Sequence, residues 1–140
     1  MNSDDGLTAP LDDEDYVALA DFRRELRSFL GFSERAARGV GVTAQQYQAL
    51  LAIRAAPSAR MAVGTFADQM LLRPHSASGL LDRLELAGMV ERVRLADDRR
   101  RVEIGLTDEG RALLASLAAA HREELRRLRP LLKGLASRFR

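Results

Sequence analysis

Arg73-Pro74-His75-Ser76-Ala77-Ser78-Gly79-Leu80-Leu81-Asp82-Arg83-Leu84-Glu85-Leu86-Ala87-Gly88 is the stretch whose reading decides the fold. Ala77, Leu80, Leu81 and Leu84 fall at i, i+3, i+4 and i+7, which predicts a helix with one apolar stripe turned to a core. The opposite face carries Ser76, Gly79 and Arg83, flanked by His75 and Ser78, and reads as lean, with no bulky hydrophobe. Pro74 suits the first helical turn, where its missing N–H costs nothing, and Gly88 suits a left-handed stop. An ordinary amphipathic surface helix has the same pattern, so the neighbours decide what the helix is for.

Upstream, a short helix is predicted from about Val63 to Leu71, burying Phe66, Ala67 and Met70. Leu72 and Arg73 make a tight connection to the quoted stretch. Pro57 and Ser58 mark a loop, and before it Thr43-Ala44-Gln45-Gln46 fits a capping box. The helix opened there, about Ala44 to Arg54, is expected to bury Tyr47, Leu50, Leu51 and the stem of Arg54. Gly39-Val40-Gly41-Val42 ends a longer helix over Asp12 to Arg38, on which Tyr16, Leu19, Ala20, Arg23, Leu26, Phe29 and Leu30 keep helical spacing. Its acids at Asp12 to Asp15 sit at the positive end of the helix dipole. A stripe this long on so small a domain needs a cover, and a partner chain is the natural one. Residues 1–11 read as a mobile acidic tail.

Downstream of Gly88 the period changes to two. Val93 and Leu95 alternate with Arg92 and Arg94, then Val102, Ile104 and Leu106 alternate with Glu103 and Gly105. Between them lies the charged tip Ala96-Asp97-Asp98-Arg99-Arg100-Arg101, where an aspartate can pin the loop by capping backbone N–H groups or pairing with an arginine. This is a β-hairpin. Thr107-Asp108-Glu109 then caps a helix carrying Leu113, Leu114, Leu117, Ala120, His121, Leu125 and Leu128, which Pro130 is expected to kink or divide, leaving Leu131 to Phe139 as a terminal piece.

Composition narrows the class. The chain has 140 residues with 46% hydrophobic content, enough for one folded domain and its extensions, and no cysteine for a disulfide, thiolate metal site or redox switch. No apolar run reaches the ~18 residues of a membrane helix, and the acidic start is unlike a signal peptide, so no membrane partner and a cytoplasmic location are expected. Net charge is +2, but six acids and no base fall in residues 1–15; beyond them 22 bases against 14 acids leave +8. Of those bases 21 are arginine, suited to phosphates and guanine edges. A GC-rich coding sequence gives the same excess, so charge alone assigns no partner.

Two short helices with a tight turn, a charged hairpin and long helices outside both make a mainly α protein with a small β-hairpin wing. That is a winged helix-turn-helix with N- and C-terminal dimerisation helices. At this point the residues resemble the MarR family of bacterial transcriptional regulators. The resemblance rests on Leu80-Leu81-Asp82-Arg83-Leu84-Glu85-Leu86-Ala87-Gly88-Met89-Val90-Glu91-Arg92, on Asp98-Arg99-Arg100 followed by Leu106-Thr107 with Gly110 three residues on, and on Thr43 to Leu51. It covers roughly residues 16–130. The domains expected are a helical dimerisation region at 12–38 and 108–140 and a DNA-binding winged helix at 39–107.

The resemblance implies a homodimer on a pseudo-palindromic operator, usually a repressor, with double-stranded DNA as partner and a small, often aromatic or phenolic effector that releases it. It implies recognition-helix contacts from Arg73, His75, Ser76, Ser78, Gly79 and Arg83. It implies wing contacts from Arg99, Arg100 and Arg101, with Asp98 holding the arginine geometry. A ligand pocket would draw on Phe29, Phe32, Arg35, Tyr47 and His121, residues that also suit an ordinary core. Two departures stand out: Gly79 replaces the longer polar side chain of many relatives, and Ala62 sits where relatives cap the third helix with threonine or serine.

Other classes fit less well. Neither Ser76 nor Ser78 completes a Gly-x-Ser-x-Gly nucleophile turn, and two histidines without cysteine supply few metal ligands, so no enzyme and no cofactor are expected. A helical interaction module without DNA readout is the remaining alternative.

Overall fold

The computed structural model describes residues 9–98 and 100–139. The elements run α1 (Asp13–Gly39), α2 (Ala44–Ala55), a 3-10 turn (Pro57–Ala59), β1 (Arg60–Ala62), α3 (Val63–Gln69), α4 (Pro74–Leu86), β2 (Val90–Arg94), β3 (Val102–Leu106) and α5 (Asp108–Arg138). They form two compact units, one from residues up to Phe32 together with Arg122 onward, the other Ser33–His121. Part of the predicted acidic tail, residues 1–8, lies outside the described residues.

The second unit holds the core. Phe66, Leu50, Ile53, Leu80, Leu81, Leu84 and Ile104 are its largest fully buried side chains. The stripe predicted on α4, Ala77, Leu80, Leu81 and Leu84, is buried throughout. On α2 the buried arc is turned from the predicted one. Tyr47, Ala49, Leu50 and Ile53 face inward, while Leu51 is 43% exposed and Arg54 is exposed. Leu51 lies about 100° around the helix from Leu50, and Ile53 and Ala49 flank Leu50 on its other side. The capping box is present: Gln46 N–H donates to Thr43 Oγ1 at 3.0 Å and Thr43 N–H to Gln46 Oε1 at 2.9 Å.

The hairpin expected from the sequence is part of a three-stranded antiparallel sheet of order β1-β3-β2. β1 pairs Met61 with Ile104; at three residues it is too short to announce itself by alternation. In β2, Val90 and Arg92 pair with Leu106 and Ile104 and Val93 pairs with Glu103; Val90 is buried, Val93 and the following Leu95 are half-buried and Arg92 and Arg94 are exposed, as the alternation predicts. Arg92 reaches two carboxylates of α4, described below.

Three helices of this unit end in one kind of turn, with the residue past the helix in the left-handed region and the next N–H reaching back five residues. Val42 N–H donates to Ala37 O at 3.0 Å past Gly41 (φ 85), and Met89 N–H to Leu84 O at 2.9 Å past Gly88 (φ 77). Leu72 N–H donates to Ala67 O at 3.0 Å past Leu71, whose φ is 55 although it carries a side chain. A left-handed backbone costs a residue with Cβ about 1–2 kcal/mol. The third helix, α3, has Ala62 at its start and no side-chain cap, as the sequence implied.

In the first unit the acids at the start of α1 do more than complement the helix dipole. Asp15 N–H donates to Asp12 Oδ1 at 2.8 Å and holds the Asp12 carboxyl below its ordinary range, and Arg138 Nε donates to Asp15 Oδ1 at 2.7 Å. The α1 stripe is open to solvent in the single chain: Tyr16 is 61% exposed, Leu26 41% and Leu30 50%, and Leu125 of α5 is also 50% exposed. The expected division at Pro130 does not occur. α5 runs as one helix from Asp108 to Arg138 with Pro130 inside it. Among the described residues no helix is long and apolar enough to cross a membrane.

Candidate nucleic-acid interface

The lean face of α4 is exposed where it was expected to be. Arg73, His75, Ser76 and Arg83 are exposed, and Ser78 and Gly79 are half-buried. Arg73 is the cap residue and makes no side-chain cap bond, so the first-turn N–H groups point outward without a side-chain acceptor, which suits an anion. Gly79 is not a gap in this face. A Cβ built there would sit 3.6 Å from Arg83 Nη1, so the guanidinium lies back over the glycine, one turn toward the helix start, the direction in which helical side chains lean. The face is less bare than its sequence suggests, because Leu86 lies two turns beyond Gly79 in the same line and is 91% exposed.

The acids of α4 are engaged elsewhere. Arg92 of β2 donates to Asp82 Oδ1 at 2.8 Å and lies 3.4 Å from Glu85 Oε1, which ties α4 to β2 and neutralises two carboxylates of the helix. The sequence reading did not find this clamp. Its partners lie seven and ten residues before Arg92 on another element, so no local spacing announces it.

At the wing tip Asp98 Oδ1 accepts the Arg100 N–H at 3.0 Å, and Asp98 O accepts the Arg101 N–H at 3.0 Å. The aspartate thus pins the loop through backbone N–H groups, the first of the two roles considered for it. Arg100 and Arg101 are exposed; Arg99 lies outside the described residues. The wing is anchored at its base by the Leu106-Thr107-x-x-Gly110 segment. Thr107 Oγ1 donates to Gly88 O at 2.6 Å and accepts the Gly110 N–H at 3.0 Å, and Thr107 N–H donates to Met89 O at 3.1 Å.

Of the residues named for a ligand pocket, Tyr47 and His121 meet in the second unit, their rings stacked with centroids 4.6 Å apart. His121 Nδ1 lies 2.7 Å from Leu117 O; a carbonyl only accepts, so Nδ1 carries the hydrogen, and in the neutral ring Nε2 accepts from Ser33 Oγ at 2.8 Å. Burial pushes the Tyr47 phenol above its ordinary value. Arg35 is exposed in this unit, and Phe29 and Phe32 are half-buried in the other.

A core built from two short helices, a recognition-type helix and a strand-paired wing defines a winged helix-turn-helix protein. In comparison with known proteins, residues 40–101 match the family model described as MarR family. It is 37% identical over 78 residues to the HTH-type transcriptional regulator PecS of Dickeya dadantii, a match covering 56% of this chain and 46% of PecS. It is 51% identical over 43 residues to the regulator FarR of Neisseria gonorrhoeae, covering 31% of this chain and 29% of FarR. The matches therefore span about half or less of these curated relatives. The fold is that of a Staphylococcus aureus MepR variant bound to an oligodeoxyribonucleotide (TM-score 0.71, 20% identity, 93% of this chain and 100% of that one). It is also that of NadR in complex with 4-hydroxyphenylacetate (TM-score 0.66, 24% identity, 94% and 95%).

Proposed function

We propose that this protein is a sequence-specific DNA-binding repressor that works as a homodimer on a pseudo-palindromic operator. The observation that carries the reading is the outer face of α4. Its first turn presents uncapped N–H groups, His75 and Ser76, its guanidinium at Arg83 is preset over Gly79, and its two acids are neutralised by Arg92. Such a face suits the major groove, with N-terminal residues leading, while Arg100 and Arg101 of the wing approach phosphates or the minor groove. The exposed stripe of Tyr16, Leu26 and Leu30 suits a second copy, which sets two recognition helices about one DNA turn (~34 Å) apart. The DNA complex of MepR and the phenolic ligand of NadR support DNA and a small aromatic effector as partners. An effector that prefers another dimer spacing lowers DNA affinity by the same coupling energy.

Salt dependence tests this. Affinity for a fragment bearing the operator is expected to fall with a log–log slope of about −5 or steeper for a dimer, as counterions are released from the contacted phosphates. Binding that is flat with salt, or absent at low salt from a protein that light scattering shows to be monomeric, contradicts the reading.

A further inference from the structure

Gly41 and Gly88 close two of the three left-handed helix ends, and the third, in the turn of the helix-turn-helix, is closed by Leu71 with φ 55. Its side chain is 92% exposed, so it gains no burial for the unfavourable backbone it occupies. Fold stability therefore does not explain the leucine, and an outlier of this kind points to function.

We propose that Leu71 is a further DNA-contacting residue, its side chain seated on the apolar edge of the duplex beside the groove that α4 enters. The proposal rests on the DNA-reading function above. Leu71 stands two residues before the cap Arg73, within about 8 Å along the chain, and that end of a recognition helix is the one that leads into the groove. The turn bonds Leu71 N–H to Asp68 O (3.2 Å) and Leu72 N–H to Ala67 O (3.0 Å) fix the backbone, so the direction in which the side chain leaves it is set before binding. Asp68 and Arg73 beside it are exposed and charged, which leaves Leu71 as an isolated apolar projection. Duplex DNA offers two apolar features at a groove edge, the thymine methyl and the deoxyribose carbons.

Leu71→Gly keeps the turn and removes the side chain. Its Tm is expected to hold or rise by up to about 4 °C, while Kd for a duplex selected from a random pool weakens about five- to tenfold at fixed salt, with the salt slope unchanged because no cation is lost. Leu71→Asn, whose side chain tolerates the left-handed region, is expected to weaken binding likewise. Deoxyuridine placed at single thymines separates the two partners. A position where the parent loses affinity and Leu71→Gly does not marks a thymine methyl, and silence at every position marks the sugar. A Kd within twofold of the parent for both variants overturns the proposal and leaves DNA reading intact. A weakened Kd accompanied by a lowered Tm overturns it too, since the leucine is then structural. A parent that binds no duplex removes the DNA reading itself.

Discussion

Gly110→Ala is expected to lower Tm by about 10 °C, the effect of roughly 3 kcal/mol of backbone collision, and to abolish DNA binding near the melting point. A Cβ at position 110 would collide with the Met89 carbonyl oxygen and come within 3.0 Å of the Met89 carbonyl carbon. Neither atom is the end of a flexible side chain. Met89 O is held in place by the Thr107 N–H, and Gly110 is held by the Thr107 hydroxyl, so the first turn of α5 and the start of β2 cannot separate without losing both bonds. Calorimetry of parent and variant decides it. A parental Tm would mean that the base of the wing is looser than this geometry.

Arg92→Ala carries the second large effect, and it falls on DNA affinity more than on stability. The pairs to Asp82 and Glu85 are largely solvent-exposed, with the Arg92 side chain 36% accessible, so their loss should move Tm by no more than about 3 °C. What the substitution releases is two carboxylates on the recognition helix, in the half where the helix dipole also disfavours negative charge. Facing phosphates, these should weaken operator binding about tenfold or more, most strongly at low salt. Adding Asp82→Asn and Glu85→Gln to Arg92→Ala should restore most of that affinity. If it restores none, Arg92 acts by touching DNA itself and the shielding account is wrong.

Much of this architecture was legible in the residues, for reasons that can be named. The α4 stripe, the Thr43 capping box and the left-handed stop at Gly88 are local, each fixed by side chains within a turn or two of one another, and each is found where the spacing placed it. The errors came where distant segments decide. Leu51 looked as apolar as Ile53, and the choice between them is made by what packs on α2, which periodicity in one helix does not contain. The Arg92 clamp was not legible because its partners, Asp82 and Glu85, stand on another element, α4. β1 consists of three residues and exists through its pairing with β3. Of the two outcomes expected at Pro130, a kink or a division, the division does not occur in the 31-residue helix.

At the candidate interface, composition identified the face and missed how it is finished. Gly79 looked like a bare spot because nothing in a one-letter pattern shows that Arg83 folds back over it. Leu86 escaped notice because the outer face was read only as far as Arg83, and Leu71 because a left-handed leucine has no sequence signature at all.

The central claim, that α4 and the wing of a dimer read DNA sequence, is tested most directly by selecting bound duplexes from a random pool with the full chain. The account predicts enrichment of one dyad-symmetric sequence, half-sites about 10 base pairs apart centre to centre, bound at least about a thousandfold tighter than a scrambled duplex at physiological salt. A pool that remains random after repeated rounds, or enriches a site without dyad symmetry, would contradict it.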